Sequence, residues 1–124
     1  MTEAVLPAKD FVSIISSSFP ELKPEMENAS DSIYLQMMEF KSYALRLAKL
    51  DDDDKLRHCI DVLDRAVKLG DSDLKTAACV SFIEHIDRSN KAGRKLFSML
   101  TPELRRVWSE MQDYVNPRGG NGRR

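Results

Sequence analysis

The chain has 124 residues, 42% of them hydrophobic and 31% charged, with 19 basic side chains against 20 acidic. That is one domain's worth of polypeptide with enough apolar material for one core, and the balanced charge disfavours a dedicated nucleic-acid binder, which needs clustered cations. No apolar run approaches the roughly 20 residues that span a bilayer, and Met1 to Lys9 lacks the basic and apolar regions of a secretory leader, so the expected compartment is the cytoplasm.

Alternation of apolar and polar residues with period 2 is nearly absent, whereas the 3.6-residue period recurs along the chain. The expected fold is all-α: a compact bundle of about five helices in antiparallel pairs. Residues 1–117 form one helical domain, and the Gly/Arg-rich tail 118–124 is expected to be disordered. HEAT-like stacking of helix pairs also fits, although no repeat of fixed period is evident.

The first helix is expected from Ala8 to Phe19, with Phe11, Val12, Ile15 and Phe19 on one face and Pro20 as its stop. Pro20 to Ala29, with two prolines, reads as a loop holding at most one helical turn after Pro24. Ser30 or Asp31 can N-cap the second helix. Its buried stripe is Ile33, Met37, Phe40, Ala44 and Leu47. Tyr34, Leu35, Met38, Tyr43 and Leu45 widen its apolar surface beyond one stripe. Such a helix is either central or keeps a second face for a partner, and central burial is the preferred reading.

Asp51 to Asp54 form a run of four aspartates, favoured at a helix N-terminus because their charge meets the macrodipole. The run reads as the turn and N-cap of a third helix, Asp54 to Leu69, burying Leu56, Cys59, Ile60, Leu63, Ala66 and Val67. Gly70 stands where a left-handed residue ends helices. Asp71 or Ser72 caps a fourth helix to Ile86, whose core face is Leu74, Ala78, Phe82 and Ile86. Asp87 to Gly93 is a polar connection, and Arg94 to Leu100 a short helix. Thr101-Pro102-Glu103 is a strong helix start. The last helix buries Leu104, Val107, Trp108, Met111 and Val115, and Trp108 reads as a core anchor.

Chemistry-bearing motifs are sparse. Cys59 and Cys79 fall on expected core faces of adjacent helices and read as buried free thiols. His58 and His85 lack metal-ligand or nucleophile spacing, and the aspartate run lacks the interleaving and glycine of a calcium loop. No catalytic residue, metal site or cofactor is expected. The tail holds three arginines and no aromatic, so it reads as inert toward RNA.

Residues 51–75 carry eight acids against five bases. A local acidic face can steer a basic partner, and the candidate contact set is Asp51, Asp52, Asp53, Asp54, Asp61 and Asp64.

Two segments carry a family resemblance. One runs from Gly70-Asp71 through Ser81-Phe82-Ile83-Glu84-His85-Ile86, after a helix patterned Leu56, Cys59, Leu63. The other is Leu100-Thr101-Pro102-Glu103-Leu104 followed by Trp108. Together, over residues 54–112, they resemble a bacterial all-helical family found among polymorphic-toxin immunity proteins. The resemblance implies a cytoplasmic, non-catalytic protein that binds and occludes a cognate toxin, one with a basic active-site surface if the acidic set is the contact. Glu84 is expected to be structural, capping a neighbouring helix or loop. The alternative is a helical scaffold or regulatory subunit, homodimeric through the broad second helix.

Overall fold

The computed structural model describes residues 5–29 and 31–115. Seven α-helices are present among the described residues: α1 (Phe11–Ser18), α2 (Lys23–Asn28), α3 (Ile33–Lys49), α4 (Asp53–Leu69), α5 (Ser72–Ala77), α6 (Lys91–Ser98) and α7 (Pro102–Val115). The all-α expectation holds, with more and shorter elements than five. Ser30, the tail 118–124 and the side chain of Val115 lie outside the described residues.

The surplus begins at Pro20 to Ala29, expected as a loop. It is a 3₁₀ turn (Pro20–Leu22) followed by α2. Both prolines stand in the first turn of a helical segment, where the missing N–H has no intrahelical partner to lose. Leu22 and Met26 are buried and anchor these turns in the core.

α3 is the axis of the molecule and packs against α1, α2, α4, α5, α6 and the segment after α5. α7 packs on the chain after α5 instead. The N-cap of α3 is Ser32, whose Oγ accepts from the Leu35 N–H at 3.3 Å, not Ser30 or Asp31. Phe40, fully buried, is the hub of an aromatic cluster. Its ring centroid lies 5.9 Å from Phe11, 6.0 Å from Phe19 and 5.5 Å from Phe82. The core therefore joins α1, α3 and the chain after α5 through rings that meet edge-on or tilted, arrangements favoured by the aromatic quadrupole.

The fourth expected helix is not one regular helix. α5 lasts six residues, then the chain runs as a π-helical turn (Ala78–Phe82) and a 3₁₀ turn (Ile83–His85). Ser81, Phe82 and Ile83 are buried in succession. A straight α-helix spreads three successive residues over most of its circumference, so the wider turn fits this run inside.

Gly70 is a second correction. It is extended, with φ −63° and ψ 150°, not left-handed. It pairs with Leu6 in an isolated parallel bridge: the Leu6 N–H donates to the Leu69 carbonyl at 2.7 Å, and the Asp71 N–H to the Leu6 carbonyl at 2.9 Å. A Cβ at position 70 would stand 2.3 Å from the Ala66 carbonyl oxygen, so the residue answers a need for space. Asp71 completes the junction. Its carboxylate caps α5 at Leu74 N and accepts from Ala8 N, both at 2.9 Å. These backbone donors hold its pKa below the usual carboxylate range.

α6 starts at Lys91, three residues earlier than expected, because Asn90 caps it by accepting from the Gly93 N–H at 2.7 Å. α7 starts as expected, with Thr101 Oγ1 accepting from Leu104 N at 3.2 Å. It lies at the edge: Leu104 is buried, while Val107, Trp108 and Met111 are only half-buried. Trp108 pins the edge by donating from Nε1 to the Ile86 carbonyl at 3.1 Å and by meeting Phe97 edge-on at 5.1 Å. The Arg88 guanidinium covers both rings, 4.1 Å from Phe97 and 5.4 Å from Trp108.

Candidate functional site

The aspartate run sits where α3 turns into α4, and each of its residues has a local task. Asp51 is left-handed, with φ 55°, a conformation that aspartate tolerates better than most residues. Its N–H donates to Ala48 O at 3.2 Å and the Asp52 N–H to Leu47 O at 3.0 Å. Those two bonds are the paired closure of a Schellman helix end. Asp52 then caps α4, accepting from Lys55 N at 3.3 Å. Asp53 and Asp54 fill the first turn.

Lys95 reaches this corner from α6, with Nζ 3.0 Å from Asp51 and 2.7 Å from Asp53. The contact lowers the pKa of Asp51 and raises that of Lys95. Asp54 is the open member, with a side chain 99% exposed and Arg57 3.6 Å away. Along α4, Asp61 is exposed, whereas Asp64 is held by Lys68 at 3.0 Å and accepts from Thr101 Oγ1 at 3.3 Å.

The six candidate acids therefore do not form one free acidic face. Asp54, Arg57, Asp61, Arg65 and Lys68 share the solvent side of α4, so opposite charges interleave there. Asp51, Asp52, Asp53 and Asp64 are occupied in turns, caps and ion pairs, which leaves Asp61 and Asp54, the latter 3.6 Å from the exposed Arg57, as the most open anions of the set. Among the described residues, no group of three His, Cys, Asp or Glu is placed to hold a metal ion.

The second surface is apolar and lies on α3. Tyr34, Leu35 and Met38 are 41%, 52% and 45% exposed. The preferred sequence reading, central burial of this whole broad surface, is half right. α3 is central, but this edge faces outward. Residues 35, 38, 42, 45 and 49 alternate steps of three and four, so the edge continues down the helix as one stripe. At the far end Leu45, Ala48 and Lys49 meet Asn90, Lys91 and Ala92 of the α6 start, forming a groove of about 510 Å³.

No cysteine or histidine lines that groove. Cys59 is fully buried, and burial pushes its thiol up to about 12. Cys79 is half-buried, so only one cysteine holds the expected core position; both are free thiols. His58 is exposed, its ring 4.8 Å from that of Phe19. His85 is exposed at the end of its 3₁₀ turn. Among the described residues, the side chain of Glu84 makes no helix cap. Its backbone carbonyl accepts from Gln112 Nε2 at 3.1 Å instead. Tyr43, buried on α3, donates its hydroxyl to Glu21. That bond lowers the Glu21 pKa, while burial above all raises that of Tyr43. Lys55 Nζ closes on the same Glu21 oxygen at 3.3 Å, tying the Pro20–Leu22 turn to α3 and α4.

Sequence reasoning missed the lysines. Lys95 reaches the aspartates from 44 positions along the chain, and Lys49 and Lys91 become neighbours only when α3 and α6 pack. No local pattern announces either meeting.

A family model described as "Domain of unknown function (DUF7674)" matches residues 12–116, and the chain belongs to that family. No curated protein and no solved structure matches it. No helix among the described residues is long and apolar enough to cross a membrane.

Proposed function

We propose that this member of the family is a non-catalytic protein-binding module of the immunity type, which neutralises a partner toxin by covering its working surface. The observation that supports this most is the outward edge of α3. Three large apolar side chains, Tyr34, Leu35 and Met38, stand exposed side by side on the helix that organises the core. A cluster of exposed apolar groups along one helix edge, unlike the single exposed Val5 and Leu50, is the mark of a protein contact. Anchoring it on a helix held from several sides keeps the face rigid, so little ordering entropy is lost on binding. Asp54 and Asp61 supply the electrostatic part of this reading: they favour the approach of a basic patch on the partner, away from the α3 edge, rather than hold it.

The test is affinity capture from the source cell with the wild-type chain and with Leu35→Asp/Met38→Asp, whose fold is checked by circular dichroism. Both side chains are about half exposed, so the double variant should fold. The wild type should retain one stoichiometric partner that arrests growth when expressed alone, and the variant should lose it. Undiminished capture by the folded variant would refute the reading.

The same edge supports a second reading, a homodimeric scaffold joined through α3. Sedimentation at several concentrations separates the two: a concentration-independent monomer removes the scaffold.

A further inference from the structure

We infer that the α3 edge and the groove it runs into receive an acidic amphipathic helix of the partner, lying along α3 with carboxylates over Lys49 and Lys91. This inference rests on the protein-binding reading above and adds the chemistry of the occupant.

Leu35, Met38, Ser42, Leu45 and Lys49 form a single stripe of alternating three- and four-residue steps, the spacing a second helix meets with its own side chains. From 35 to 49 that stripe is about 21 Å long at 1.5 Å per residue, the length of a four-turn helix and longer than a small metabolite fills. Its apolar members are Leu35, Met38 and Leu45, with Ser42 between them, and Leu45, Ala48 and Ala92 give the groove its apolar lining.

Lys49 and Lys91 both line the groove, one from α3 and one from α6. Among the described residues neither has an ion-pair partner, although Asp51 and Asp53 are close by in the fold. Both of those carboxylates close on Lys95 instead, at 3.0 and 2.7 Å, and Lys91 gives Asp51 only a longer-range attraction. Two cations beside an apolar lining, with the nearest acids already engaged, complement a ligand that carries both apolar anchors and carboxylates. Two lysines beside an engaged aspartate turn are too few for a phosphate backbone, whose affinity grows with the number of charges neutralised.

The experiment uses the full chain and a synthetic helical peptide of about 18 residues, with leucines along one face and glutamates flanking them. A control peptide replaces the glutamates by lysines. The acidic peptide should shift the methyl signals of Leu35, Met38, Leu45, Ala48 and Ala92 in NMR spectra. It should bind at least about tenfold more tightly than the basic peptide, and Lys49→Glu/Lys91→Glu should reverse the preference. Equal binding of the two peptides, or shifts mapping elsewhere, would overturn the inference. So would a self-associating wild type that Met38→Asp renders monomeric and the peptide fails to dissociate, which assigns the edge to a second copy of the chain. The two readings fail separately. If capture of the natural partner is lost in Leu35→Asp/Met38→Asp but unchanged in Lys49→Glu/Lys91→Glu, the binding reading stands and the acidic occupant is wrong.

Discussion

Replacing Phe40 by alanine should lower the free energy of unfolding by about 3–5 kcal/mol, the cost of emptying a large aromatic site in a packed core. The ring is fully buried and lies within 6.0 Å, centroid to centroid, of Phe11, Phe19 and Phe82. Those neighbours come from α1, the residue ending α1, and the π-helical turn. The cavity is bounded by separate elements, none of which can collapse into it without dragging its own contacts along. Against a typical total of about 5–15 kcal/mol, the loss takes a large share of the stability. Urea titration checks it: the midpoint should fall with little change in slope. Phe40→Leu keeps most of the volume and should cost much less. Equal losses for the two variants would show that the aromatic hub is not what joins α1 to the rest.

Gly93→Ala should also destabilise, by roughly 3 kcal/mol, at the upper end of what overpacking costs. The sign carries the information. Glycine to alanine inside a helix ordinarily stabilises by about 1 kcal/mol through propensity and chain entropy. Position 93 lies in the first turn of α6, but a Cβ there would stand 1.7 Å from the Asp87 carbonyl oxygen and 3.1 Å from Asn90 Oδ1, the cap itself. The carbonyl cannot retreat cheaply, because Asp87 is folded on itself: its Oδ1 accepts from Ser89 N at 2.8 Å and from Ser89 Oγ at 2.6 Å. Relief of the clash would cost the α6 cap or that turn. Thermal unfolding should report a fall of about 12 °C, at roughly 4 °C per kcal/mol for a domain of this size. A rise in melting temperature would mean that the close approach of the turn at Asp87 to α6 is wrong.

The parts of this fold that were legible in the sequence are those set by neighbours along the chain. Thr101-Pro102-Glu103 starts α7 because cap, proline and acid act within one turn. Ile15, Phe40, Leu63 and Leu74 are buried because the 3.6-residue period places them on inward faces. Where tertiary contacts decide, the reading failed. Pro20 and Pro24 look like breakers until Leu22 and Met26 find the core, and the prolines then fall at helix starts. Gly70 looks like a helix terminator until Leu6 arrives from the far end of the chain and requires extended backbone and space. The π-helical turn has no local signature, since Ser81, Phe82 and Ile83 are inside only because α3 and α7 close over them.

The candidate site divides in the same way. The aspartate run was readable as a helix start, and that is what Asp52, Asp53 and Asp54 are. Its appearance as a free acidic face depended on not knowing that Lys95 folds onto it. The width of the α3 apolar surface was visible as an excess over one stripe. α3 packs against α6 and the chain after α5, and on it Ala44, Leu47 and Ala48 are buried while Tyr34, Leu35 and Met38 stay outside.

Hydroxyl-radical footprinting tests most directly the proposal that this uncovered edge is where the chain meets its partner. Methionine and tyrosine label readily, and the chain carries its own controls: Met26 and Met37 are fully buried, and Met38 is 45% exposed. In the isolated chain Tyr34, Leu35 and Met38 should label strongly, and Met26 and Met37 should stay silent. With the captured partner bound, the labelling of Tyr34, Leu35 and Met38 should fall at least about fivefold, as fully covered side chains require. Unchanged labelling at these three positions in the complex would contradict the account and move the interface to another face.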